Sequence, residues 1–445
     1  MKHLRKFNTS AERDAYVDET PIIEYPYVHY IAESKSVLYS GPEVDVPLYF
    51  ENLGALVFSF TSSYEYSRDG YTWTAAVASD SIVSKYTGER IYVRASGLTA
   101  SSSSGIGKFR ITSGTCNVGG NVMSMLYGAD YRGKTEITQS YAFYALFESL
   151  NSIKSARFLA LPATVLSPHC YSSMFNGCGG LIHAPELPAT TLAIYCYSSM
   201  FQNCKSLAKC PELPATTLVE YCYVRMFMSC ESLIDAPVLP ATTMANYCYY
   251  YMFNSCTSLV NAPELPATTL ADACYDSMFY KCDSLSVVSE LPAAELADGC
   301  YKYMFYQCKS LVRAPEMRAI KLAYNCCSSM FDSCTSLIEA PELPATTLTE
   351  NCYSYMFRGC ASLVNAPELP AITLVKGCYN YMFNGCSALS YIKAMFTTTP
   401  GQTYTNTWVA GVATSGTFVK NTSATWTTSG TSGIPSGWSV ELQTP

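Results

Sequence analysis

Charge is scarce in this chain: Asp, Glu, Lys and Arg make up 14% of its 445 residues, well under the roughly 25% of an average soluble protein. The net charge is −7 and the pI near 5.3. A chain without a basic stripe cannot release phosphate counterions, which argues against nucleic acid as a partner. Histidine occurs four times, at His3, His29, His169 and His183. No serine, cysteine and histidine set follows from their spacing, so the chain does not read as an enzyme. No apolar run approaches the roughly 18–20 residues of a membrane span. The basic start Met1-Lys2-His3-Leu4-Arg5-Lys6 lacks the apolar core of a signal peptide behind it, so ordinary secretion is not expected. No cysteine pair has the spacing that zinc requires, and no Asn/Asp set completes an oxygen shell for calcium; no cofactor is expected.

What the chain has instead is one phrase repeated nine times from residue 161. It starts at Leu161, Leu187, Leu213, Leu239, Leu265, Leu291, Met317, Leu343 and Leu369, always 26 residues apart. A fixed period of roughly 20–50 residues marks an array whose units bury their apolar faces against one another. In the unit from Leu187, Leu192, Cys196, Met200 and Cys204 recur every fourth residue with Tyr197 and Phe201 beside them, which predicts a short helix. Ser206 to Lys209 reads as a strand of about four residues, stacking into a parallel sheet at about 4.8 Å spacing. The expected fold class is mixed α/β: a solenoid of 26-residue units, with an N-terminal antiparallel β-sandwich and a small β-rich C-terminal cap.

Four segments follow from this reading. Residues 1–40 carry a capping box, Thr9-Ser10-Ala11-Glu12, and then aromatic extended residues with no core of their own. Residues 41–134 show short strands between turns, with Asp69-Gly70 as a hairpin signal. Residues 135–395 are the repeats, those at 135–160 being a worn capping unit; the nine full units start at 161. Residues 396–445 close the far end with Trp408, Trp426 and Trp438.

Cys-Tyr-x-x-Met-Phe-x-x-Cys-x-Ser-Leu followed by Ala-Pro-Glu-Leu-Pro-Ala resembles the BspA-like leucine-rich repeats over 161–394. The flanks, Tyr66-Ser67-Arg68-Asp69-Gly70-Tyr71-Thr72-Trp73, Met125-Leu126-Tyr127-Gly128, Gly416 to Lys420 and Ile434 to Trp438, resemble the same arrangement in proteins of gut anaerobes and their tailed phages. Residues Phe7 to Tyr16 are similar to the start of virion proteins of such phages. The resemblance implies an adhesive or displayed binding protein and carries no catalytic residues. It points to a fibre or decoration on the virion surface, made in the host cytoplasm. Residues 1–40 would then anchor it to capsid or tail proteins through Phe7, Tyr16, Tyr25, Tyr27 and Tyr30, while the repeats contact a host surface glycan or protein. A bacterial cell-surface adhesin and an intracellular scaffold are the rival readings. A homo-oligomer, a trimer among the options as in other fibres, is a further expectation, although no coiled-coil heptads in the chain support a trimer.

Eighteen of the 21 cysteines fall in two columns, through Cys170 and Cys178, of nine members each. An odd column cannot pair completely, so these thiols read as small buried hydrophobes. The glutamates at 186, 212, 264, 290, 316, 342 and 368 stack like charges and must be solvated. Tyr195, Tyr221, Tyr247, Tyr250, Tyr251, Tyr303, Tyr355 and Tyr381 occupy variable positions that helical spacing turns outward. They are candidates for glycan contact, against the plainer reading of a solvated helix face or a subunit contact. Lys302, Lys309, Arg313, Arg318 and Lys321 lie within the irregular repeats at 287–327, where the array bends, an anion binds, or the sequence has simply drifted.

Overall fold

The structure is a computed structural model and describes residues 41–78, 80–102 and 104–444. Seven strands form its first sheet: β1 (Tyr49–Phe60), β2 (Tyr64–Ser67), β3 (Thr74–Ala76), β4 (Ile82–Val83), β5 (Arg90–Arg94), β6 (Phe109–Asn121) and β7 (Ile153–Ala160). Their order is β3-β2-β5-β1-β6-β7, with β4 on β1, and all pairs are antiparallel except β6 with β7. The Asp69-Gly70 turn joins β2 to β3: the Asp69 carboxylate accepts the amides of Tyr71 and Thr72, and Gly70 takes φ 79°. Gly114, on β6, is obligatory, since a Cβ there would lie 2.2 Å from the Gly54 carbonyl oxygen.

The expected sandwich is not what forms. Phe50, Phe58, Phe60 and Phe109 line one face of this single sheet, and Phe109 stacks at 5.6 Å on Phe147 of the first repeat-like coil. The coil thus supplies the second layer that another sheet would have supplied.

The repeats overturn the expected mixed α/β solenoid. Among the described residues the α-helix is confined to α1 (Ser124–Tyr127), followed by a short 3-10 turn at Gly128–Asp130, and neither lies in a repeat. Each segment expected to be helical is a chain of β-turns. Every fourth residue is left-handed, as in Tyr195 (φ 56°), Ser199 (54°) and Asn203 (60°), and no α-helix survives such a residue. Backbone amides alternate in their partners. Cys196, Ser198, Met200, Gln202 and Cys204 donate three residues back, whereas Tyr197, Ser199, Phe201 and Asn203 donate to Cys222, Val224, Met226 and Met228 in the next coil at 2.8–3.1 Å. A turn period of four residues imitates the helical 3.6 in sequence, and the buried faces coincide.

The expected four-residue strand in each repeat shrinks to one bridging residue, as in Lys209, Asp235 and Asn261, so no sheet runs through the repeats. Proline explains this in every repeat but one, where Ser289 stands between two proline-bearing coils. Pro185, Pro211, Pro237, Pro263, Pro315, Pro341 and Pro367 fall two residues after the bridge and offer no amide to a ladder. The equivalent positions in the first and last coils hold Arg157 and Lys393. There strands do form: β7 at one end, and β8 (Tyr391–Ala394), β9 (Thr417–Asn421) and β10 (Ser439–Gln443) as a parallel sheet at the other.

Between these two end sheets the core is a set of columns. Phe147, Phe175, Phe201 and so on to Phe383 stack at 5.1–5.8 Å. A tyrosine column from Tyr171 to Tyr301 stacks beside it at 5.8–6.0 Å. Both cysteine columns are buried and every cysteine is unpaired. Trp408 closes the far end against Tyr379 and Phe383, with its indole N–H on the Gly433 carbonyl at 2.9 Å.

Candidate aromatic recognition face

The left-handed positions hold most of the outward aromatic side chains, although Ala145, Ala273, Ser277 and Ser329 at such positions are buried. A residue with positive φ turns its Cβ away from the run of the turns, and these columns hold Tyr, Ser, Asn, Gly, Lys, Arg, Gln, Ala and His. Within them Thr407, in the last coil, is the β-branched exception. Seven of the eight tyrosines singled out from the sequence, all but Tyr250, sit at such positions. They are outward through turn geometry and not through a helical face.

Aligned from coil to coil, Tyr141, His169, Tyr195, Tyr221 and Tyr247 form one ladder of parallel, half-buried rings with centroids 4.3–4.8 Å apart. Burial holds the His169 imidazole below its usual pKa. The ladder stops at Tyr247 because the next members of its column are Ala273 and Gly299. From there the rings step sideways. Tyr247 meets Tyr250 edge-on at 5.7 Å, Tyr250 meets Tyr251 at 4.3 Å, Tyr251 approaches Tyr280 at 6.5 Å, and Tyr280 stacks on Tyr306 at 4.5 Å. Tyr303 stands beside both of the last two. Tyr355 and Tyr381 make a separate stack at 4.7 Å.

Stacked tyrosines cover each other's faces, so the ladder shows a ligand its ring edges and a row of hydroxyls. Such a surface is stiff before anything binds, which lowers the entropy cost of contact.

Charge gathers around the sideways step. Arg225, Lys281, Lys302 and Arg358 lie over Tyr251, Tyr280, Tyr303 and Tyr355 at 4.9–5.8 Å, in cation–π range. Two carboxylates lie beneath the rings. Asp276 accepts the Ser277 hydroxyl at 2.6 Å, and burial pushes its pKa up to about 6 against the opposing pull of Ser277 and Lys302. Asp332 is fully buried and ion-paired with Arg358 at 2.6 Å; burial raises its pKa, with Arg358 and Ser333 opposing. Tyr141, His169, Tyr280, Tyr306, Asp276 and Asp332 belong to this face although sequence reasoning did not single them out for it. Tyr280 and Tyr306, 26 residues apart in one column, carried a readable signal.

The cations near the irregular unit are spread over several rungs. Lys309 pairs with Asp283 at 3.3 Å, Arg313 with Glu339 at 3.2 Å, Arg318 with Glu290 at 2.9 Å and Lys321 with Glu295 at 2.9 Å. Each carboxylate comes from an adjoining coil, and Lys302 is the member that joins the aromatic face. The glutamate column is exposed throughout. Phe7, Tyr16, Tyr25, Tyr27 and Tyr30 lie outside the described residues. Among the described residues no His/Cys/Asp/Glu group could hold a metal ion, and no helix is long and apolar enough to cross a membrane.

The family model described as BspA type Leucine rich repeat region matches six copies here, over residues 133–259, 169–312 and 301–410, which together take in more than half of the chain. No curated protein matches it.

Proposed function

The chain belongs to the BspA-type leucine-rich-repeat proteins, and from that premise we propose that it is a non-enzymatic binding protein whose aromatic turn face holds a surface glycan or protein. The observation that carries this reading is the unbroken ring path from Tyr141 to Tyr306. Half-exposed tyrosines that pack a core or cap an end are common, but a path crossing seven coils of the array serves neither purpose. Ring edges, hydroxyls and the nearby cations suit a neutral or weakly anionic polyhydroxyl ligand. The test is adhesion to cells and binding to immobilised glycans. Changing Tyr247, Tyr250 and Tyr251 together to serine should weaken both while leaving the melting temperature within a few degrees; unchanged binding would refute the face.

The setting we propose is the surface of a tailed phage particle, with residues 1–40 docked on a capsid or tail protein. Its support is the sequence resemblance of residues Phe7 to Tyr16 and of the flanks. Deleting residues 1–40 should remove the protein from purified particles, and retention at normal stoichiometry would place the anchor elsewhere. If no particle carries the full chain, display on a bacterial cell surface takes over as the setting.

A further inference from the structure

Two neighbouring columns at the bridge positions stand exposed, and none of their members belongs to the ring path. The first is aliphatic: Ile182, Ile234, Val312, Ile338 and Val364 are 42–52% exposed, with Val260 half-buried between them. Six branched aliphatic residues in eight coils, with Ala208 and Ser286 in the other two, are more than the scattered surface residues of a monomer. The second column, one residue later in each coil, carries Lys209, Asp235, Asn261, Val287, Arg313 and Glu339, all exposed. Backbone bridges join its members from Lys209 to Val287 and from Arg313 to Glu339, so neighbours within these two runs lie side by side, and the residues just before them follow the same stacking.

The charge column reads plus, minus, neutral, neutral, plus, minus. Laid antiparallel against itself, about a two-fold axis between the coils of Asn261 and Val287, it sets Lys209 against Glu339 and Asp235 against Arg313. In the same register the aliphatic column sets Ile182 against Val364, Ile234 against Val312, and Val260 against Ser286. Every like-charge contact is avoided, and the positions nearest the axis are uncharged. Val287, which interrupts the charge column in the irregular unit and is 56% exposed, falls there. A two-fold interface must be complementary to itself, residue i meeting j and j meeting i, and this pattern satisfies that condition.

We propose that the chain forms an antiparallel two-fold dimer through the aliphatic column, with the flanking charges setting its register. The aliphatic side chains supply the driving force and the charges select the alignment. Each charge already has an opposite neighbour within its own column: Arg313 with Glu339, and Lys209 beside Asp235. In the dimer the four make a square of alternating sign on either side of the axis. The interface uses no residue of the ring path, so a dimer would carry that path twice and bind a multivalent surface with avidity.

Analytical ultracentrifugation of the full chain over a concentration series should show a monomer–dimer equilibrium. The double variant Ile234→Lys, Val312→Lys should sediment as a monomer with an unchanged melting temperature. Arg313→Glu places a glutamate opposite Asp235 of the second copy and should raise the dimer Kd by at least about tenfold. Adding Asp235→Arg restores opposite signs across the axis and should recover the dimer. A monomer at every concentration, a trimer, or a dimer indifferent to the lysine pair would overturn the proposal. Failure of Asp235→Arg to rescue Arg313→Glu would overturn the register.

Discussion

Cys204 donates its thiol hydrogen to the carbonyl oxygen of Phe175, 3.2 Å away in the preceding coil. The same bond recurs along the column at 3.0–3.2 Å, from Cys178 on Phe147 to Cys386 on Phe357. That carbonyl also accepts its own turn amide, Cys178 N–H in the case of Phe175. The column therefore needs a side chain that is small, buried and a weak donor, and cysteine alone combines the three.

These thiols should be reduced and inert. Burial raises the Cys256 thiol to about 12, so almost no thiolate exists at neutral pH. Denaturing titration without reductant should find most of the 21 cysteines free, and native protein should react slowly with a maleimide. Cys256→Ala, which removes the donor, should cost about 1 kcal/mol in denaturant melts.

Cys327 occupies the tyrosine column where Tyr301 precedes it and Tyr353 follows. The coils there keep their spacing, with Tyr301 N–H on Cys326 and Cys327 N–H on Cys352 at 2.9 and 3.0 Å. Cys327→Tyr should restore the ring stack and stabilise the array by about 2 kcal/mol, by the size of the effect of removing buried apolar volume. A lower melting temperature would mean that neighbouring side chains already fill the slot.

Ser229 has φ 61° in a column whose other members include Gly177, Gly359 and Gly385. Ser229→Gly should be neutral or slightly stabilising, whereas Ser229→Val should cost about 1–2 kcal/mol. A helix would reverse the order, because glycine is the poorer helix former. Thermal melts of the two variants distinguish the turn chain from the helix.

Asp276 has a folded-state pKa of about 6 because it is buried, above the roughly 3.9 of an unfolded chain. Between these values the folded state holds the proton and the unfolded state has lost it. Stability thus falls as pH rises through this window, by about 3 kcal/mol at most before solvent relaxation reduces it. Asp276→Asn should raise the melting temperature at pH 7.5 and change it little at pH 4; equal shifts at both pH values would contradict the sign.

The period, the core columns and the Asp69-Gly70 hairpin were legible in the residues, since a buried position repeats with its unit and a left-handed turn selects glycine. Leu192, Cys196, Met200 and Cys204 showed the right face but the wrong backbone. A four-residue turn and a 3.6-residue helix bury the same side chains over so short a stretch, and what separates them is where Tyr197 N–H finds its acceptor, at Cys222 in another coil. Strand length in the repeats was written in the proline column, but it could be read only once Arg157 and Lys393 were seen inside β7 and β8. The sandwich gave way to a single sheet because Phe147, distant in sequence, covers Phe109. The ring path was hidden for the same reason: Tyr251 and Tyr280 occupy different columns and come within reach only when two coils lie side by side. Local composition dictates which residues are buried, while contacts across coils decide which backbone buries them and which exposed rings meet.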